Sequence, residues 1–193
     1  MNDFTDLLKL YLKIIIHTNA IIFDTETTGL GFDDEIVELS IIDFDGKVLF
    51  DSLLKPDKMV SGEAAEVHKI YPEMLVNQPR FCHKASTISK LFNGKTVVGY
   101  NIGFDMRMLI QTASLQNVSK FYTSYVTTID AMQLASMFIN ELGPYGTPRW
   151  FKLREIIDIF EIDISDKFHR ALADAQATRL LILELCSKLE IQT

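Results

Sequence analysis

Ile21-Ile22-Phe23-Asp24-Thr25-Glu26-Thr27-Thr28-Gly29 is an apolar run that ends in two acids and a turn. Its β-branched and aromatic start reads as a buried strand. Side chains alternate along a strand, so Asp24 and Glu26 point to the same side of it. Two carboxylates crowded on one face beside a hydrophobic core repel each other and lose hydration, and a fold keeps them there when a cation sits between them. A divalent metal is the natural candidate. A lone D-x-E also occurs as ordinary surface acids at a strand end, so the rest of the chain has to decide.

The chain has 193 residues, 48% hydrophobic and 23% charged, which describes a single globular domain large enough to bury a proper core. Nineteen basic against 26 acidic residues give a net charge of −7, which argues against a protein that coats long duplexes through a wide basic surface. A short strand can still be gripped locally if bound divalent ions offset part of that charge. Cys82 and Cys186 are far apart and lack metal-ligand spacing, so they read as reduced thiols of a cytoplasmic protein. The apolar stretch from Phe4 to Ile16 is broken by Asp6, Lys9 and Lys13 and is too short to span a bilayer, so no membrane role is expected.

Helical spacing of Phe4, Leu7, Leu8, Tyr11 and Ile14 predicts an amphipathic helix over residues 3–13, a helical extension (1–19) ahead of a main domain (20–193). It either packs on the core or docks a partner. Strands follow at 35–44 and 48–54, joined by an Asp45-Gly46 turn, and with the first strand they make a meander. Short helical turns are predicted within 61–75, a helix over 84–92, a strand at 96–100 and a helix over 104–115. A fifth strand is predicted at 125–129, then helices over 131–138, 152–160 and 169–189. A meander followed by strands alternating with helices implies an α/β fold with a mixed sheet flanked by helices.

Two further stretches carry chemistry. Tyr100-Asn101-Ile102-Gly103-Phe104-Asp105 follows the fourth strand and places Asp105 in the first turn of a helix, at the carboxyl end of the strand, where open α/β sheets put their sites. An acid there also favours the helix dipole. His169-Arg170-Ala171-Leu172-Ala173-Asp174 starts the last helix with one His, one Asp and small residues that let another backbone come close. His169 and Asp174 are not stacked on one helical stripe, but they flank one site if His169 lies at the frayed start.

The conjunction of Asp24-x-Glu26, Asp105 after Asn101-x-x-Phe104, and His169-x(4)-Asp174 resembles the DEDDh class of 3′→5′ exonucleases, the superfamily that includes the proofreading epsilon-type subunit of bacterial DNA polymerase III. Segments such as Leu54-Lys55-Pro56-Asp57, Glu66-Val67-His68 and Val126-Thr127-Thr128-Ile129-Asp130 extend the resemblance over most of the chain beyond residue 20. It implies an RNase H-like fold built on a five-stranded mixed sheet. It further implies that Asp24, Glu26, Asp105 and Asp174 hold two Mg2+ or Mn2+ ions, hard cations that suit an all-oxygen donor set. Two such ions activate the attacking water and stabilise the departing 3′ oxygen. His169 is then the general base, a role for which imidazole is suited near neutrality. Thr27, Thr28 and Leu30 match family positions that touch the terminal nucleotide, His68 one near the substrate, and Asn101 and Phe104 the His-Asn-x-x-Phe-Asp motif. Tyr100 departs from that motif by replacing its His, which predicts altered packing or substrate contact rather than lost catalysis.

The expected activity is metal-dependent hydrolysis from the 3′ end of single-stranded DNA with release of 5′-mononucleotides, in proofreading or repair. An exoribonuclease or oligoribonuclease on the same scaffold stays open, because sugar discrimination rests on contacts to the 2′ position. A silent nucleic-acid-binding or polymerase-associated module predicts loss of an acid or the His, and all five are present. The expected partners are single-stranded 3′ ends and a DNA polymerase. The family's polymerase-binding tail lies beyond the catalytic domain, whereas this sequence ends soon after its last helix, so docking is expected either not at all or through the N-terminal helix.

Overall fold

The computed structural model describes residues 3–119, 121, 126–164 and 169–192. Its centre is β1 (Ile21–Thr27), with β2 (Ile36–Asp43) antiparallel on one side and β3 (Val48–Leu53) antiparallel beyond it. On the other side of β1 lie β4 (Thr96–Gly99) and β5 (Thr127–Asp130), both parallel, which gives the order β3-β2-β1-β4-β5. This is the expected five-stranded mixed sheet. The β2–β3 turn closes where the Gly46 N–H donates to the Asp43 carbonyl at 3.0 Å and Gly46 takes φ 91°, a conformation open to glycine.

Alternation along β1 builds two cores. Ile21 and Phe23 face α4 (Phe81–Phe92) and α5 (Ile102–Leu115), where the Phe23 and Phe92 rings meet edge to face at 4.9 Å. Ile22 faces α1 (Asp3–His17), α6 (Ala131–Ile139), α7 (Leu153–Ile159) and α8 (Ala171–Lys188). With both faces covered, the central strand is apolar on both sides until Asp24. Ala171, Ala173, Ala175 and Ala177 are all buried, so the small residues of α8 bring its axis close to the sheet. Leu8, Leu12 and Ile15 of α1 are buried in the same cluster as Ile22 and Leu181. The N-terminal helix is thus packed into the main core, while Phe4, Leu7 and Leu10 stay exposed.

Several boundaries differ from the sequence reading. α4 begins at Phe81 rather than 84, because Phe81 is a fully buried core residue that extends the helix toward Pro79. The 61–75 stretch forms α2 (Gly62–His68), whose first turn is capped by the Ser61 hydroxyl, and α3 (Pro72–Leu75). α5 starts at Ile102, with Asn101 left-handed just ahead of it. β5 starts at Thr127; Tyr125, where the sequence reading began it, lies outside the described residues. α8 starts at Ala171, so His169 and Arg170 precede the helix. Among the described residues no helix is long and apolar enough to cross a membrane.

Candidate active site

Asp24 and Glu26 emerge on the α8 side of β1, where Asp174 meets them from the first turn of α8. One carboxylate oxygen from each of the three lies within 4.8 Å of the others. β1 and β2 pair Glu26 with Glu38 and then slip, setting Thr27 opposite Ile36, so a bulge lies where the acids end. Burial pushes the Glu26 carboxyl up to about 8, with repulsion from Asp174 and Glu38 adding to it. Burial likewise raises Asp174 to about 6, although the His169 N–H pulls the other way. Asp24 is raised by burial and then by Asp105, Asp174 and Glu26. Each shift has the same cause: negative charge gathered where water is scarce. An oxygen-only donor set of this kind fits a hard divalent cation, whose charge would reverse the repulsion.

Asp105 stands differently from the other three. It comes from the first turn of α5 on the opposite face of the sheet, and its Oδ1 accepts hydrogen bonds from the Thr25 N–H at 3.0 Å and the Thr25 hydroxyl at 2.7 Å. It is buried, and burial raises its carboxyl despite those two bonds. Thr25 is the side chain between Asp24 and Glu26, so the strand that carries two acids on one face ties down the third on the other.

His169 is exposed, in the left-handed region at φ 67°, and its N–H donates to Asp174 Oδ1 at 3.3 Å. The sequence reading began the last helix at His169 and let it flank a site with Asp174 from a frayed start; its left-handed φ places it on the turn that enters α8, directly beside Asp174. That turn is held by two residues which sequence reasoning passed over. Glu38 is buried in the middle of β2, where its carboxylate accepts Arg170 Nε at 3.0 and 3.1 Å, the Arg170 Nη2 and the Ala171 N–H at 2.9 Å. A signal was available, since an acid inside the apolar run Ile36-Val37-Glu38-Leu39 needs a cationic partner.

Beside Glu26 opens a cavity of about 440 Å³ lined by Thr27, Gly29, Leu30, Lys58, Ser61 and His68 among others. Leu30 is 79% exposed on its wall. His68 is buried, with Nε2 3.1 Å from the Thr27 carbonyl and Nδ1 accepting the Ile70 N–H at 3.0 Å, which assigns Nε2 as the protonated nitrogen. Burial lowers its proton affinity and keeps it in that neutral form, where it braces the strand end. Thr28 does not line the cavity. Its buried hydroxyl donates to Asp34 Oδ1 at 2.7 Å and accepts the Glu35 N–H. Asp34 also takes the Gly31 N–H at 2.6 Å and pairs with Lys58 at 2.9 Å, and it approaches so closely that a Cβ on Gly29 would fall 2.8 Å from its Oδ2. Asn101 and Phe104 lie outside the cavity: Asn101 donates its N–H to Asp130 Oδ1 at 2.9 Å, and Phe104 packs on the α4–α5 core. Tyr100, at the motif's His position, donates its hydroxyl to the Phe151 carbonyl at 2.7 Å and so ties the end of β4 to the start of α7.

Residues 21–181 match the RNase_T family, described as exonuclease. The chain is 34% identical over 166 residues to an exonuclease of Escherichia phage 186, covering 84% of this chain and 86% of that protein. It is 37% identical over 164 residues to DNA polymerase III subunit epsilon of Treponema pallidum, covering 83% of this chain and 73% of that one. Among solved structures, exonuclease X in complex with 5′ overhanging duplex DNA superposes with a TM-score of 0.66 at 23% identity, over 88% of this chain and 92% of that one. Superposition at that identity speaks for the fold, and the match over residues 21–181 contains all four acids and His169, so the chain belongs to the RNase_T exonuclease family.

Proposed function

We propose that the chain removes nucleotides from the 3′ end of single-stranded DNA, with Asp24, Glu26, Asp105 and Asp174 holding two Mg2+ or Mn2+ ions. The observation that carries this reading is the cluster of three carboxylates within 4.8 Å beside a cavity of nucleotide size. Bound there, the ions would supply charge for activating water and for stabilising the departing 3′ oxygen. The chain's own residues do the rest. Glu38 holds Arg170 and the first N–H of α8, Asp174 holds the His169 backbone, and the imidazole is thereby presented at the mouth of the site to take the proton of the attacking water. The exposed Leu30 side chain covers the terminal base and separates it from its neighbour, while His68 keeps Thr27 in place against it. Asp105 contributes from the far face, with its Oδ1 held by the Thr25 N–H and hydroxyl.

The relatives named as polymerase III epsilon subunits support DNA as substrate and a polymerase as partner. The free cysteines Cys82 and Cys186 support work in the reducing cytoplasm. The test compares 5′-labelled DNA and RNA oligomers of matched sequence with Mg2+, Mn2+ or chelator. Stepwise shortening of DNA, none of a circular single strand and none under chelation is expected. Faster loss of RNA would move the substrate to RNA, and cutting of the circle would make the enzyme an endonuclease.

A further inference from the structure

Two residues beyond Leu30, Phe32 stands 87% exposed on the loop that leaves β1. A single exposed phenylalanine is unremarkable by itself, but this one rests on a built support. The Arg107 guanidinium lies 5.6 Å from the Phe32 ring centroid and 5.1 Å from that of Phe104, which places a cation against both aromatic rings. The same guanidinium donates to the Leu30 carbonyl at 3.3 Å and the Gly31 carbonyl at 3.4 Å. Gln111, one turn further along α5, donates to the Gly31 carbonyl at 3.0 Å and reaches the Asp34 carbonyl as well. The loop is therefore fastened to α5 at both of its shoulders, and the Phe32 ring is held out as a fixed ledge.

We propose that Phe32, backed by Arg107, is a second nucleobase subsite that receives the base next to the terminal nucleotide. The inference rests on the exonuclease reading. Its occupant follows from continuity, because Leu30 lines the terminal cavity and Arg107 grips the Leu30 carbonyl and the Phe32 ring together. It follows also from chemistry: an aromatic face stacks on any base, and a fixed guanidinium attracts the phosphates beside it in a chain whose net charge is −7. The subsite therefore grips single strands without reading their sequence, and it favours oligomers over mononucleotide esters.

The test measures kcat and KM of the full chain with Mn2+ on an oligothymidylate and on the p-nitrophenyl ester of thymidine 5′-monophosphate, which fills the terminal cavity alone. Phe32→Ala should lower kcat/KM on the oligomer relative to the ester by roughly 5- to 100-fold, mainly through KM. Phe32→Trp should recover most of that loss. An unchanged oligomer-to-ester ratio in Phe32→Ala, or a tryptophan variant no better than the alanine one, overturns the subsite. A wild-type protein that degrades neither substrate overturns the exonuclease reading on which the subsite depends.

Discussion

Stripped of divalent ions, the protein should lose roughly 3 to 4 kcal/mol of stability as the pH rises from about 6 to about 8, and Glu26 supplies the largest share, about 2. Its carboxyl holds a proton up to about 8 in the folded chain, against 4.5 when exposed, because it is buried and faces Asp174 and Glu38. Between those two values the folded state binds a proton that the unfolded state has released, so stability falls with rising pH. One proton across two pH units sets a ceiling of about 2.7 kcal/mol, and the titration of Glu26 as pH nears 8 trims it to about 2. Asp105, raised to about 7 by its burial, adds about 1 kcal/mol, and Asp174, raised to about 6, adds a few tenths, since most of its loss is complete below this window. For a chain of this length roughly 3 to 4 kcal/mol corresponds to roughly 6 to 16 °C in melting temperature. Thermal melts followed by circular dichroism in chelator, at three pH values across the window, measure it. Glu26→Gln should roughly halve the fall, and saturating Mg2+ should flatten it in the wild type, because a bound cation favours the ionised carboxylates. A melting temperature that stays level or climbs with pH in chelator, or a fall of equal size in Glu26→Gln, would refute the electrostatic account of the site.

Asp174→Ala should abolish turnover yet raise the metal-free melting temperature near pH 8, because one repelling acid is gone; a lower melting temperature with activity retained would contradict both claims. His169→Ala should keep a residual rate reduced by roughly 10² to 10⁴, measured at saturating Mn2+, and near-normal turnover would remove His169 from proton transfer. Glu38→Ala frees Arg170 and the entry to α8, so kcat should fall roughly 10- to 100-fold while stability drops by about 1 to 3 kcal/mol; a stability loss with kcat intact would leave the pair a purely structural tie. Leu12→Ala opens the core under α1 and should cost roughly 2 to 5 kcal/mol in denaturant unfolding, with unchanged kcat wherever the protein remains folded.

The strand that organises the protein was legible because its information is local. Alternation over Ile21 to Glu26 dictates which side chains share a face, and the structure keeps Asp24 and Glu26 together for that reason. Asp105 in a first helical turn, the Asp45-Gly46 hairpin and the mixed sheet were legible on the same terms. Thr28 and His68 matched family positions near a nucleotide. The structure adds that Thr28 spends its hydroxyl on Asp34 and that His68 braces the Thr27 carbonyl through Nε2 while its Nδ1 accepts the Ile70 N–H.

By itself, then, the sequence determined the strand, its two acids, the order of the remaining chemical residues and the family. Tertiary structure alone decided how they meet. Thr25 reaches Asp105 across 80 positions and Glu38 reaches Arg170 across 132, and no periodic pattern names a partner at such distances. Whether α1 is an appendage or part of the core also depended on what lay opposite Leu8, Leu12 and Ile15, which is settled by the far end of the chain through Leu181 and Leu185. Backbone alternation is set by neighbouring residues, whereas burial and charge pairing are set by whatever the closed fold brings alongside.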